Sequence, residues 1–150
     1  MADQTTSSIV IGATPAAVMA VIADFPAYPE WAQGMKQVEV TKRTADGEVG
    51  EVHFELEATP IKDSYTLAYD WDGDRSVTWH LVDGRMIKAM AGAYVLKEVP
   101  GADGAVDTEV TYRLSVEVAI PLIGMLKRKA VKVIIDTALK GLKKRVESLG

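Results

Sequence analysis

The sequence predicts an α+β fold in which a curved antiparallel sheet of about seven strands is covered by one long C-terminal helix. Three observations carry this prediction. Apolar residues recur at helical spacing between residues 14 and 24, alternate with polar residues through much of the region from residue 36 to 120, and return to helical spacing after residue 121. Because a sheet with one apolar face needs a cover, the last helix, which is the longest predicted element, is expected to provide it.

Length and composition are those of one soluble domain spanning residues 1–150. The chain is 48% hydrophobic and 25% charged, with a net charge of −4. It has no cysteine, which excludes disulfides, thiolate metal sites and cysteine nucleophiles. Residues 4–23 carry no charge, but Asp3 stands where a signal peptide has basic residues, and polar residues interrupt the apolar run. We therefore predict neither a signal peptide nor a membrane span, and we expect a cytoplasmic protein.

The N-terminal segment predicts a short strand over residues 6–11, then a helix. Thr14 is suited to cap this helix and Pro15 to occupy its first position, where the missing N–H of proline is not needed. The buried stripe of the helix is predicted to contain Val18, Val21 and Ile22. The segment FPAYPEW (residues 25–31) follows, and Pro29 is expected to start a second, very short helix.

The middle of the chain predicts antiparallel hairpins, the first turning at residues 45–47. Pro60 is expected to break the next run of alternation. Residues 73–75 should form a three-residue loop with a bulge, because only an odd loop length keeps the apolar residues of both flanking strands on one face. That register places Tyr69 near Trp79. In the following strand, Gly92 is expected to mark a bulge or a point of close approach.

The C-terminal region predicts a helix from Pro121 to about Leu149. Its apolar stripe is predicted to contain Val131, Ile134, Ile135, Ala138, Leu142 and Leu149. The opposite face carries Arg128, Lys129, Lys132, Lys140 and Lys143. Residues 127–145 hold eight Lys or Arg and one Asp, a local charge of +7 that combines with −11 elsewhere to give −4. Such a face is typical of a core helix whose outer side is solvated. The acidic remainder of the chain disfavours nucleic acid as a partner. A transient contact with a membrane stays an open alternative.

Motifs for metal and cofactor chemistry are missing from the sequence. The histidines are His53 and His80, and no zinc, phosphate-loop, dinucleotide or nucleophile-elbow pattern accompanies them. We therefore expect no metal and no cofactor, and we identify no catalytic motif. Acid–base chemistry would need a titratable group inside an apolar cavity. The candidates for this group are the phenols of Tyr65, Tyr69 and Tyr112. Asp63 or His80 would be candidates if the strand register differed from the predicted one.

The order of elements and several local sequences resemble the START-like (SRPBCC) superfamily of helix-grip proteins, which includes polyketide cyclases/dehydrases and lipid-transport proteins. The residues that carry the resemblance are Ile9, Ile11, Ala13, Pro15, Val18, Phe25, Pro26, Tyr28, Pro29, Trp31, Gly92–Leu96, Thr108–Leu114, Pro121, Leu139 and Leu142. The resemblance covers nearly the whole chain. It implies a seven-stranded sheet that grips the C-terminal helix, an apolar cavity between them, and short helices beside its entrance.

These readings together predict a protein that binds or transports a hydrophobic small molecule, such as a lipid, quinone, polyketide or related aromatic compound. The expected lining consists of Trp31, Phe54, Leu56, Tyr65, Leu67, Tyr69, Trp79, Tyr112, Leu114, Val131, Ile134, Ile135 and Ala138. Trp31 and Tyr28 are expected either to face the mouth of the cavity or to seal the end of the core. Two alternatives stay open: a cyclase/dehydratase acting on a polyketide-like substrate, and an interaction protein that uses the basic helix.

Overall fold

The computed structural model describes residues 4–58, 61–119 and 124–149 and contains one seven-stranded antiparallel sheet. Its strands, in the spatial order β1-β7-β6-β5-β4-β3-β2, are β1 (Thr5–Ile11), β2 (Met35–Arg43), β3 (Val49–Ala58), β4 (Ile61–Asp72), β5 (Ser76–Gly84), β6 (Ile87–Pro100) and β7 (Val106–Val118). The helices are α1 (Pro15–Ala23), α2 (Tyr28–Trp31) and α3 (Gly124–Leu149), with 3₁₀ turns at Phe25–Ala27 and Ala102–Gly104. This confirms the predicted fold class. The predicted roles of Pro60 and Pro121 lie outside the described residues.

The start of α1 is fixed by the predicted cap. The Thr14 side chain accepts a hydrogen bond from the Ala17 N–H at 3.3 Å, and Pro15 is the first residue of the helix. The helix ends at Ala23, where the chain turns into the 3₁₀ turn that contains Pro26. The residues predicted for its buried stripe, Val18, Val21 and Ile22, are all buried.

The β4–β5 hairpin has the predicted register. Its loop consists of residues 73–75, and Gly73 has a φ of 53°, in the left-handed region that favours glycine. Tyr69 is directly opposite Trp79 in the ladder, so both rings project from the same face of the sheet. The irregularity in this pairing lies between Thr66 and Leu67 rather than at the loop.

Gly92 is a point of close approach between β5 and β6. It is paired with Trp79, and a Cβ atom added to Gly92 would stand 2.4 Å from Cζ2 of the Trp79 ring. The indole therefore lies over the backbone of Gly92, in space that a side chain would occupy. The β6–β7 irregularity lies elsewhere, between Ile87 and Ala89.

Helix α3 packs mainly against β1, with further contacts to β7 and α1. Its buried residues are Val131, Ile135, Leu139, Leu142 and Val146, while Ile134 and Ala138 are partly buried against the same core. The placement of Leu149 in the apolar stripe is wrong, since this side chain is 63% exposed. Leu149 is the last residue of the helix, where the stripe runs past the elements that cover it.

Part of the basic face of α3 is engaged in ion pairs. Lys132 pairs with Asp136 at 3.0 Å, and Lys143 pairs with Glu147 at 2.7 Å. The Lys143 ammonium also donates to the carbonyl of Val10, which ties the helix to the edge strand β1. None of the helices described here is long and apolar enough to cross a membrane.

Candidate functional site

Aromatic rings cover the buried face of strands β3 to β7, in two groups that the ring of Phe25 joins. We call this set the aromatic wall, and it consists of Phe54, Tyr65, Tyr69, Trp79, Tyr94 and Tyr112. At its centre, the ring centroids of Tyr94 and Tyr112 are 4.6 Å apart, and that of Trp79 lies 5.3 Å from the first and 5.6 Å from the second. Tilted and edge-to-face contacts at such distances are the favoured arrangements of aromatic rings. The wall belongs to the same core as the buried stripe of α3.

The FPAYPEW segment closes one end of this wall. The ring of Phe25 lies 4.9 Å from the rings of both Tyr28 and Tyr69 and 6.2 Å from that of Phe54. Tyr28 is buried, and its hydroxyl donates a hydrogen bond to the carbonyl of Ile22. The segment is therefore a packed corner. Of the two expectations for Tyr28, the structure favours the one in which its ring seals the end of the core.

The predicted lining residues all lie in one core. Those that are buried are Phe54, Tyr65, Leu67, Trp79, Tyr112, Leu114, Val131 and Ile135. Those that are partly buried and packed against this core are Trp31, Leu56, Tyr69, Ile134 and Ala138. The fold thus brings the set together from the sheet, α2 and α3, while their role in binding stays a prediction.

Four aromatic residues of this core are missing from the predicted lining, namely Phe25, Tyr28, Tyr94 and the partly buried Trp71. Tyr94 lies opposite Tyr112 in the β6–β7 ladder. The irregularity after Ile87 shifts the alternation of β6 by one residue. Alternation counted from the start of the strand therefore assigns the later residues to the wrong face of the sheet. Counting two residues forward from Gly92, which lies against Trp79, would have placed Tyr94 on the buried face.

Burial keeps the phenols of this core neutral. It is the largest cause of a raised pKa for each of the five tyrosines, Tyr28, Tyr65, Tyr69, Tyr94 and Tyr112. Nearby phenols raise the pKa of all but Tyr112 further, because a second phenolate in the same apolar space would repel the first. At neutral pH the groups can therefore donate hydrogen bonds but cannot act as ready general bases.

The hydroxyls of the wall have no acceptor in the described protein. No hydrogen bond joins the phenol oxygens of Tyr65, Tyr69, Tyr94 or Tyr112 to any residue that the structure describes. These oxygens are not among the enclosed, unpartnered polar atoms of the described residues, so the hydroxyl ends of the four rings are not sealed off. The four hydroxyls are therefore available to donate hydrogen bonds to an acceptor other than the described residues.

Trp31 lies at the junction of α2 with α3. Its carbonyl oxygen and the Cε3 atom of its ring lie 3.2 Å and 3.6 Å from the position that a Cβ atom of Gly141 would take. On the same side of α3, Arg145 pairs with Glu30 at 3.3 Å. Among the described residues, the indole Nε1 of Trp31 is the one side-chain N or O atom that is enclosed without a hydrogen-bond partner.

Asp63 is a structural acceptor rather than an acid–base group in the apolar interior. Its carboxylate, which is buried, accepts hydrogen bonds from the backbone N–H groups of Ser64 at 2.9 Å, Arg85 at 3.2 Å and Ile87 at 2.8 Å. These bonds fix the turn between β5 and β6. His80 is exposed, whereas Asp63 lies two residues before Tyr65 on the same face of β4, and its charge helps to raise the pKa of that phenol.

An open depression of about 770 Å³ lies beside the turn between β5 and β6, next to Asp63. It is lined by Lys36, Gln37, Glu55, Leu56, Glu57, Lys62, Asp63, Ser64, Arg85 and Met86. Its volume is in the range of ligand pockets, about 300–1,000 Å³. Leu56 is the predicted lining residue that borders it.

Comparison with known proteins identifies the family. The profile of the family described as polyketide cyclase / dehydrase and lipid transport matches residues 2–147. The chain has no match among curated proteins.

Solved structures share the fold over their whole length. A START superfamily protein from Mycobacterium smegmatis has a TM-score of 0.87 and 21% identity, over 98% of this chain and 99% of that one. A protein from Thermus thermophilus has a TM-score of 0.77 and 22% identity, over 99% of both chains. The Zhui aromatase/cyclase from a Streptomyces species has a TM-score of 0.72 and 14% identity, over 98% of this chain and 94% of that one. With a START-like fold and a family profile that matches nearly all of its length, the chain belongs to the polyketide cyclase/dehydrase and lipid-transport family.

Proposed function

We propose that this protein binds or carries a hydrophobic small molecule between the aromatic wall and α3. The observation that carries the proposal is the wall itself: six rings on one sheet face, four of them phenols whose hydroxyls have no acceptor in the described protein. Ligand sites are mostly apolar and contain a few polar groups that orient the ligand. Family membership supports the same proposal, because the family description includes lipid transport.

Energetics favour an occupied interior over an empty one. An apolar void of about 300 Å³ would cost on the order of 7 kcal/mol, at about 24 cal/mol for each Å³. A domain has a total stability of about 5–15 kcal/mol. A space of ligand size beside the wall would therefore hold a ligand, water or mobile side chains.

The first test is to identify what the protein carries. The protein is purified under native conditions, its mass is measured intact, and its solvent extract is analysed by mass spectrometry. We expect a hydrophobic compound in stoichiometric amount, or stoichiometric binding of an added apolar fluorescent dye. Repeated preparations that are empty and bind no dye or lipid would contradict the proposal.

A pair of variants on α3 supplies the control. Ala138 is partly buried against the core, whereas Val133 on the same helix is 57% exposed. A138W would fill the space between helix and wall and is expected to abolish binding, while V133W adds the same ring outside the core and should preserve it. Equal binding by both folded variants would place the ligand elsewhere.

A second candidate function is a cyclase/dehydratase acting on a polyketide-like substrate. Neutral phenols without acceptors favour it, because they can polarise substrate carbonyls by donating hydrogen bonds. The similar Zhui protein is named as an aromatase/cyclase. Turnover of a polyketide-like substrate that is lost in Y65F or Y112F, with binding retained, would support this function. Binding with no turnover by the wild type would leave the carrier function.

A further inference from the structure

We propose that the indole N–H of Trp31 binds an acceptor oxygen of the ligand, so that this residue selects a carbonyl- or hydroxyl-bearing molecule over a hydrocarbon of the same shape. The inference rests on the proposed binding function and specifies its ligand. It starts from the enclosed Nε1 atom, which has no hydrogen-bond partner among the described residues. A buried donor without an acceptor is rare in native proteins and calls for an explanation.

The position of the ring directs this donor away from α3. Cε3 and Cζ3, on the benzene edge of the indole, face the position of a Gly141 Cβ at 3.6 Å and 4.0 Å. Nε1 is on the other edge of the indole. The nearest described ring is that of Tyr28, 5.0 Å away and roughly perpendicular, and its hydroxyl already donates to Ile22.

Tyr28, at the start of α2, lies in the packed corner, but the end that carries Trp31 has a weaker tie to α3. Helix α2 has four residues, and the tie between its Glu30 and Arg145 of α3 is an ion pair whose acidic side chain is 63% exposed. Exposed ion pairs stabilise weakly. A small movement of the Trp31 end of α2 can therefore open the edge of the indole to a ligand oxygen. The hydrogen bond that forms then stabilises the moved position.

A matched pair of ligands tests the inference. The first is 2-acetylnaphthalene, and the second is 2-isopropenylnaphthalene, in which a CH₂ group replaces the carbonyl oxygen. For the wild type we expect the ketone to bind more tightly, since one net hydrogen bond corresponds to roughly threefold to tenfold in affinity. In W31F the ratio of the two dissociation constants should fall by that factor, while the affinity for the alkene changes little.

Trp71 provides the matched control. Its indole N–H already donates to the carbonyl of Val49 at 2.7 Å, so W71F removes an indole without removing a free donor. The ketone-to-alkene ratio of W71F should equal that of the wild type. A ratio in W31F that also matches the wild type, with both ligands bound, would overturn the inference and leave the binding function intact. If neither ligand binds the wild type, the inference fails, and the extraction and dye-binding test decides the binding function separately.

A spectroscopic measurement on the unmodified chain covers the case in which W31F does not fold. The chain has three tryptophans, Trp31, Trp71 and Trp79, so ¹⁵N-labelled protein should show three indole N–H resonances. We expect the ketone, but not the alkene, to shift the Trp31 resonance in the direction of a stronger hydrogen bond. Equal responses to the two ligands would overturn the inference.

Discussion

Alkaline pH should unfold this protein and ionise its tyrosines in one transition. All five tyrosines of the chain lie in the core or against it, and burial raises the pKa of each. A phenol whose pKa is higher in the folded than in the unfolded state contributes stability below the unfolded value, about pH 10. That contribution is lost as the pH rises above this value, because only the unfolded chain then releases its phenol protons.

The size of this effect follows from the number of phenols. One group that is protonated in the folded state and ionised in the unfolded state lowers the free energy of unfolding by about 1.4 kcal/mol for each pH unit. For the five tyrosines together the slope is about 7 kcal/mol per pH unit. Since a domain has about 5–15 kcal/mol of stability, the protein should unfold within roughly one to two pH units above pH 10.

Two signals recorded on one titration test this reasoning. Tyrosinate absorbance reports ionisation, and far-ultraviolet circular dichroism reports the fold. We expect both to change together, steeply and well above the ordinary pKa of tyrosine. A tyrosinate signal that rises near pH 10 while the circular dichroism stays native would refute the burial argument, and with it the view that these phenols act only as neutral donors.

Three further predictions concern stability, and chemical denaturation of matched variants checks each. G92A should cost about 1–3 kcal/mol, because its Cβ atom would overlap the Trp79 ring and force the indole to move; unchanged stability and tryptophan fluorescence would contradict this. D63N should cost about 1–3 kcal/mol by weakening three backbone hydrogen bonds, whereas an equal loss in E55Q, which makes none of these bonds, would contradict that reason. Hydrogen bonds to Lys132 and Lys143 lower the pKa of Asp136 and Glu147, so their stabilisation is present above about pH 4 and is lost as the pH falls through the lowered values. D136N and E147Q should therefore reduce the pH dependence of stability in the acid range, and an unchanged profile would contradict this.

The elements predicted best were those with a local physical rule. The cap at Thr14 depends on a single side chain and the proline that follows it, and both act as expected. The pairing of Tyr69 with Trp79 followed from parity alone, because an even loop would have put one of the rings on the solvent side. Such rules need no knowledge of the rest of the chain.

The parts that sequence could not provide depend on distant contacts. Tyr94 joins the aromatic wall because of where an irregularity falls in β6, and alternation read from the start of the strand does not locate it. Leu149 has the right helical spacing but lies beyond the surface that α3 covers. The position of Trp31 depends on its contact with Gly141 of α3, more than a hundred residues away in the chain.

The balance of donors and acceptors distinguishes this interior from an ordinary core. A core built for stability alone can fill the same volume with leucine and phenylalanine, which leave no hydrogen-bonding group unmet. Here Tyr65, Tyr69, Tyr94 and Tyr112 place hydroxyls in the core without an acceptor in the described protein, and Trp31 adds an enclosed N–H. All five groups can donate, and burial prevents the phenols from becoming phenolates. Under the proposed function, a flat apolar molecule with acceptor oxygens would complement such a wall, because neutral phenols can donate hydrogen bonds but cannot abstract protons.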